Sequence, residues 1–183
     1  MKSRILATAF GPFGGFEENP SSILVPQLGL PHEILPVTFA AVDEFVSSDR
    51  LDGVETLVMF GVASKGTVIT LETTARNVIG PTPDAEGLVH GPGPIDSNYP
   101  PQLASSLWTG EDIWSDPDWV MGVDAGGYLC NYLLFSVLSR RPNIRAGFVH
   151  IPPFEAVPAV QQAQVIGRLV SLLEKSPGAL LYA

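Results

Sequence analysis

Short apolar runs that alternate with segments of helical spacing constrain the fold of this chain more than any other feature. The apolar runs predict buried strands at 5–10, 55–62, 119–123 and 146–149. The helical segments lie at 40–46, 132–138 and 157–173. This alternation is typical of strands joined by crossover helices. We therefore predict one α/β domain over residues 1–183, with a twisted, largely parallel (mixed) sheet and helices on both of its faces.

Less regular segments complete the prediction. They are an edge strand at 33–37, a strand at 67–75, a loop at 79–100 and a helix at 101–108. The proline of the first segment places that strand at an edge, and the period-two alternation of the second puts Glu72 on one face with Thr70 and Val68. Asn19 before Pro20 is typical of a helix N-cap.

Charge and cysteine content limit the partners and the compartment. The net charge is −9, from 10 basic and 19 acidic residues, which argues against nucleic acid and an anionic membrane as partners. The single cysteine cannot form an internal disulfide, which fits a reducing, cytoplasmic setting. The N-terminal apolar run is too short for a signal peptide, and no stretch approaches the roughly 20 apolar residues of a membrane span.

The only cysteine, Cys130, lies near a predicted junction between a strand and a helix. The first turn of a helix has unpaired N–H groups and a partial positive charge, and both favour a thiolate, which is the nucleophilic form. His150 ends a strand that prolines then stop. We expect Cys130 and His150 to lie at adjacent strand ends, as a cysteine hydrolase requires.

Several other segments are expected at the same edge of the sheet. Ligands of open α/β sheets bind beyond the carboxyl ends of the strands, and the ends at 10–16, 62–66, 128–130 and 150 converge there. Glu72 would orient His150, which would act as base and acid for Cys130. The aromatic loop with Phe10 and Phe13 would form a small apolar pocket. The chemistry predicts a thiol amidase or peptidase that acts on a small apolar group.

Other interpretations of the same residues stay open. A lone cysteine in an intracellular protein is more often a small buried hydrophobe than a nucleophile, and a glutamate in such a strand often pairs with an arginine, here Arg76. Cys130 and His150 could ligate a metal, but the sequence has no CxxC, HxH or HExxH spacing. The glycines at 11, 14 and 15 do not form the G-x-G-x-x-G pattern of a nucleotide site.

Three separated segments resemble the pyroglutamyl peptidase I family, the pyrrolidone-carboxylate peptidases. They are Ala9-Phe10-Gly11-Pro12-Phe13-Gly14-Gly15 with Asn19-Pro20-Ser21; Ile69-Thr70-Leu71-Glu72 with Asn77 and Pro83-Asp84-Ala85-Glu86-Gly87; and Asp124-Ala125-Gly126-Gly127-Tyr128-Leu129-Cys130-Asn131 with Gly147-Phe148-Val149-His150-Ile151-Pro152. They are similar to the family's G-F-x-P-F-G-G…N-P-S, its I-T-x-E-x-x-A-x-N…I-P-D-N-x-G and its T-A-G-x-[FY]-[VL]-C-N. The resemblance spans about residues 5–153 in the family's order.

The resemblance implies a cysteine peptidase that releases an N-terminal pyroglutamyl residue from small peptides. The family's triad carries over to Cys130, His150 and Glu72. Its substrate pocket carries over to a set of six residues: Phe10, Phe13, Asn19, Val62, Tyr128 and Leu129. The family also implies no metal and no cofactor, a cytoplasmic location, and a homo-oligomer that is a dimer or a tetramer.

The chain departs from the family pattern around the expected pocket. The family usually has G-Q-A-G-G after the central strand, where this chain has Gly61-Val62-Ala63-Ser64-Lys65, so Val62 replaces a glutamine. The family's arginine before I-P-D is absent, and Tyr128 stands where phenylalanine is usual. These departures leave two alternatives: a divergent member that acts on another small acyl amide, or a non-catalytic binding protein that keeps the cleft.

Overall fold

The computed structural model describes residues 5–13 and 18–175, and its main feature is a six-stranded sheet. The predicted loop residues 14–16 lie outside these ranges. The strands run in the order β2-β1-β3-β8-β4-β7. Their bounds are β1 Ile5–Phe10, β2 His32–Leu35, β3 Thr56–Val62, β4 Ile69–Glu72, β7 Trp119–Gly122 and β8 Arg145–Ile151. The edge position predicted for the strand near residue 35 is confirmed, since β2 ends the sheet.

The sheet is mixed, in agreement with the prediction. Strands β1, β2, β3 and β8 are parallel. Strand β4 runs antiparallel to β8, and β7 is parallel to β4. The reversal follows from the short connection between β3 and β4, because parallel strands need a crossover of a dozen or more residues.

Helices cover both faces of this sheet, so the predicted single-domain α/β fold is confirmed. The bounds are α1 Pro20–Leu24, α2 Phe39–Ser47, α3 Glu111–Ser115, α4 Leu129–Arg140 and α5 Ala159–Lys175. Helices α2 and α4 pack on one face around Phe39, Phe45 and Phe148, and α1 and α5 on the other around Phe60 and Leu169. Each helix therefore buries an apolar stripe against the sheet.

The predicted helix at 101–108 is wrong. Residues Gln102–Ala104 form strand β6, which pairs antiparallel with β5, Thr74–Arg76. The chain then stays extended because Ser105 Oγ donates to the carbonyl of Ala146 over 2.8 Å and Ser106 Oγ accepts from the Ala146 N–H over 3.0 Å. Bonds to β8 beyond the end of β4 thus outweigh the local helix propensity.

The strand predicted at 119–123 is confirmed as β7, Trp119–Gly122, but the prediction that it is buried is wrong. Strand β7 lies at the sheet edge, and the side chains of Val120 and Val123 are 46% and 70% exposed. Because β7 runs opposite to β8 and is separated from it by β4, Cys130 and His150 do not follow adjacent strand ends. Residues 123–128 instead lead the chain from the edge back over the sheet to α4.

The predicted loop at 79–100 contains no helix or strand apart from an isolated bridge between Ile79 and Gly93. Within the described ranges, no helix is long and apolar enough to cross a membrane.

Candidate active site

Cys130 lies in the first turn of α4, above the middle of the sheet. Helix α4 begins at Leu129, with Tyr128 as the N-cap residue, so Cys130 is the second helical residue. Beneath it lies Gly61 of β3, where a Cβ atom would stand 3.0 Å from Sγ of Cys130 and 2.8 Å from the Phe148 ring. Because Gly61 has no side chain, the sulfur of Cys130 can lie close to the sheet at this point.

His150 links Cys130 to Glu72. The backbone of His150 pairs with Gly61, directly below the sulfur. Its Nδ1 lies 2.8 Å from Oε1 of Glu72. Burial by itself lowers the pKa of His150, but its interactions with Cys130 and Glu72 outweigh burial and raise this pKa to about 10. The site therefore favours an imidazolium next to the sulfur.

Glu72 is buried, and backbone groups hold it in place. Its side chain is 4% exposed, and Oε2 accepts a bond from the N–H of Asp124 over 3.3 Å. The Trp108 indole N–H donates to the Glu72 carbonyl over 2.8 Å. Gly122 of β7 pairs with Glu72 across the sheet, and a Cβ there would collide with Oε2.

Three of these neighbours were not identified from the sequence: Trp108, Gly122 and Asp124. A glycine in a strand indicates a close approach of another group, which was the available signal for Gly122. Arg76 does not pair with Glu72. Its guanidinium bonds the Asp124 carboxylate over 2.6 Å instead.

A cavity of about 240 Å³ opens beside Cys130. Its lining includes Cys130 and all six residues expected to bind substrate, together with Val37 and Ser64, which the sequence did not indicate. The six are Phe10, Phe13, Asn19, Val62, Tyr128 and Leu129. The side chains are mostly aromatic or aliphatic, so the cavity suits a small group with little charge.

Two aromatic rings and one amide shape this cavity. The rings of Phe13 and Tyr128 stack with their centroids 5.4 Å apart. Asn19 is the N-cap of α1, as predicted, with Oδ1 accepting from the Ser21 N–H over 3.0 Å. Its Nδ2 donates to the Gly11 carbonyl over 3.1 Å. Because an amide NH₂ has two hydrogens, Nδ2 retains one for a ligand.

The segment that lacks the arginine lies against the turn that precedes Cys130. The N–H of Gly80 donates to the carbonyl of Gly127 over 2.7 Å, and the hydroxyl of Tyr128 donates to the carbonyl of Pro83 over 3.0 Å. Burial, Asp84 and Cys130 raise the pKa of Tyr128 to about 12, so this hydroxyl stays protonated as a donor. Hydrogen bonds between uncharged groups are thus present in the segment where the family has an arginine.

The arrangement is that of an activated thiol beside an apolar cavity. A sulfur, an imidazole and a carboxylate placed together can attack a carbonyl and transfer a proton to the leaving group. No group of three or more His, Cys, Asp and Glu side chains within residues 5–13 and 18–175 is placed to hold a metal ion.

Comparisons with known proteins agree with one another. A sequence model of the family described as pyroglutamyl peptidase matches residues 3–170. The pyrrolidone-carboxylate peptidases of Clavibacter michiganensis subsp. michiganensis and Thermococcus kodakarensis are 34% and 32% identical to the chain; the matches cover 81% of this chain and 78% and 81% of those proteins. The crystal structure of pyrrolidone carboxyl peptidase from Thermus thermophilus has a TM-score of 0.77 at 29% identity, covering 89% of this chain and 96% of that one. The chain therefore belongs to the pyroglutamyl peptidase family.

Proposed function

We propose that this chain is a cysteine peptidase that removes an N-terminal pyroglutamyl residue from peptides. Cys130 is the nucleophile, His150 the general base and acid, and Glu72 the group that orients His150. The observation that carries the proposal is the Glu72–His150 hydrogen bond beside Cys130, whose sulfur lies over Gly61, the strand partner of His150, at the wall of an apolar cavity.

In the first half of the reaction, the Cys130 thiolate attacks the pyroglutamyl carbonyl carbon. The new S–C bond moves the carbonyl electrons onto oxygen, which becomes an oxyanion. When this intermediate collapses, the C–N bond breaks and the amine takes the proton of the His150 imidazolium. Because Nδ1 of His150 faces Glu72, the other ring nitrogen serves this proton transfer.

In the second half, water hydrolyses the thioester. His150, now neutral, takes a proton from the water as its oxygen bonds to the acyl carbon. The S–C bond then breaks, so Cys130 returns as a thiolate, His150 as an imidazolium, and the product leaves as free pyroglutamate. The carboxylate of Glu72 stabilises the imidazolium each time it forms.

The oxyanion and the acyl ring both find partners near Cys130. The N–H of Cys130 lies in the first turn of α4, where backbone donors have no acceptor within the helix, so it can donate to the oxyanion. We propose that the acyl ring enters the cavity and packs against Phe13 and Tyr128. Its lactam N–H and C=O need partners there, and the spare hydrogen of Asn19 Nδ2 is a candidate donor.

Replacement of Cys130 by alanine tests the function directly. We expect hydrolysis of a pyroglutamyl amide with a fluorescent leaving group to fall by about a thousandfold or more, since the variant has no nucleophile. The assay needs reducing conditions, because an oxidised thiol is inactive. If the variant unfolds at the same temperature as the wild type, the loss of activity comes from the missing nucleophile and not from misfolding.

Two results would favour the alternatives. If the wild type leaves the pyroglutamyl amide intact while a thiol reagent modifies Cys130 rapidly at neutral pH, another small acyl amide becomes the substrate to find. If Cys130 is inert as well, a non-catalytic binding protein is the better description. The uncharged contacts at the position of the family's arginine motivate both alternatives.

The remaining expectations are also proposals. We propose that residues 1–183 act as one unit and that the protein works in the cytoplasm, where its single thiol stays reduced. We further propose a homo-oligomer, either a dimer or a tetramer, without nucleic acid or a membrane as partner. Exposed Trp114, Val120 and Val123 near the open edge strand support the oligomer.

A further inference from the structure

A second cavity, about 540 Å³ in volume and open to solvent, adjoins the cavity beside Cys130. The two share Ser64, which lines both. One wall of the second cavity, here called the exit groove, is the loop of residues 64–67 after β3. The other wall is the chain just beyond β8, at Pro153, Glu155 and Ala156.

The exit groove continues from the acyl cavity at Ser64, so it offers a path for the leaving group. The acyl ring occupies the first cavity, so the amine half of the substrate must extend out of it. His150 protonates that amine, and the groove's second wall begins three residues after His150. The two walls are also neighbours in the sheet, since the N–H of Ala63 donates to the carbonyl of Ile151 over 2.9 Å.

The exit groove carries an exposed positive charge, which Lys65 supplies. Lys65 is exposed and forms no salt bridge with any residue in the described ranges. An exposed cation without a salt bridge to those residues stands out in a chain with a net charge of −9, whose overall field repels anionic substrates. Ser64 and Lys65 also stand where the family motif given above has two glycines, so these side chains distinguish this chain.

We propose that the exit groove binds the leaving peptide and that Lys65 there selects peptides with a carboxylate close to the scissile bond. That carboxylate is the free C-terminus of a short peptide. Ser64, on the boundary of both cavities, contacts the residue that follows the acyl group. The carboxylate of Glu155 on the opposite wall repels a second acidic group of the peptide. The inference rests on the proposed peptidase function.

The test compares matched substrates that differ only in the terminal group. Pyroglutamyl-alanine and pyroglutamyl-dialanine are each assayed as the free acid and as the C-terminal amide. We expect wild type to prefer the acid by about two- to fivefold in kcat/KM, the size of an exposed ion pair, and the preference to shrink in high salt. The peptide length with the larger preference reports how far Lys65 lies from the scissile bond.

Variants assign this preference to Lys65. Lys65→Gln should remove the preference, Lys65→Glu should reverse it, and Lys65→Arg should retain it. Lys175→Gln, which removes the same charge at the end of α5, should leave it unchanged. The acid-to-amide ratio is used because a general loss of activity cancels from it.

Two results would overturn the inference, and they are distinguishable. If wild type cleaves acid and amide equally, or if Lys65→Gln keeps the full preference, the exit groove does not select carboxylates, while cleavage of the amides still supports the peptidase function. If no pyroglutamyl peptide is cleaved, the peptidase function fails and the exit groove loses its role with it.

Discussion

At Gly122 the carboxylate of Glu72 occupies the space that a Cβ atom would fill. Gly122→Ala should displace this carboxylate from His150 although neither proposed nucleophile nor base is changed. We expect kcat/KM to fall by about tenfold to a hundredfold, as for other small displacements of positioned groups. The pKa of His150 should also fall, because Glu72 is one of the two groups that raise it. Steady-state kinetics and a histidine NMR titration measure the two effects.

Gly167→Ala is the matched control for this change. Gly167 lies in α5, and a Cβ there would meet no heavy atom within 4 Å. Alanine is favoured over glycine within a helix, so this control should keep full activity and gain some stability. Equal activity in Gly122→Ala and the control would contradict the positioning role given to Gly122.

Among the longer segments, the loop at 79–100 is anchored to the site by hydrogen bonds. Asp84 is buried and accepts from the N–H groups of Phe39, Glu86 and Leu88. These bonds outweigh burial and lower the pKa of Asp84. The hydroxyl of Tyr128 then ties the neighbouring Pro83 to the cavity wall. The loop thus keeps a fixed position without regular secondary structure.

Tyr128→Phe tests this connection between loop and cavity. The variant keeps the aromatic ring but loses a bond of about 1 kcal/mol, so the loop should detach more often. We expect a rise of about twofold to fivefold in KM, little change in kcat, and faster amide hydrogen exchange in 80–90. Tyr132→Phe is the matched control, because the ring of Tyr132 also contacts the loop, at His90, while its hydroxyl bonds Asp43 of α2 instead of the loop. If both variants exchange alike in 80–90, the Tyr128 bond does not hold the loop.

The secondary-structure elements show what the sequence could and could not predict. Strand β1 and the N-cap at Asn19 were predicted correctly because local periodicity and capping determine them. The extended course of 101–108 depends on bonds to Ala146, about 40 residues away in the chain, which local propensity does not contain. The edge position of β7 likewise depends on strand order. Cys130 and His150 were expected together for two reasons. The argument from adjacent strand ends was wrong, whereas the family resemblance does not depend on strand order.

For the whole molecule, three adjacent strands hold the site in register. Gly61 of β3 pairs with His150 of β8, and Glu72 of β4 pairs with Phe148, two residues before His150. Helix α4, which follows β7 and precedes β8 in the chain, places Cys130 above these strands. The site therefore exists only when the sheet and the helix are assembled. The protonation of His150 is therefore linked to global folding.

The raised pKa of His150 gives this linkage a definite sign. The pKa is about 10 in the folded protein against an ordinary 6.5, so between these values the folded state binds more protons. The His150 contribution to stability is then fully present below about pH 6.5 and is lost as the pH rises through about 10. We therefore expect the wild-type free energy of unfolding to fall as the pH rises from about 6.5 to about 10.

Urea unfolding of wild type and His150→Gln between pH 6 and 10 isolates this contribution, because the difference between their stabilities removes groups that titrate in both. The difference should fall as the pH rises. In wild type the ring ¹⁵N signals of His150 should remain those of an imidazolium well above pH 7, and Cys130→Ala should lower the pKa of His150, since Cys130 is a main cause of its elevation. A wild-type titration near 6.5 would mean that the imidazolium is not held between Glu72 and the sulfur.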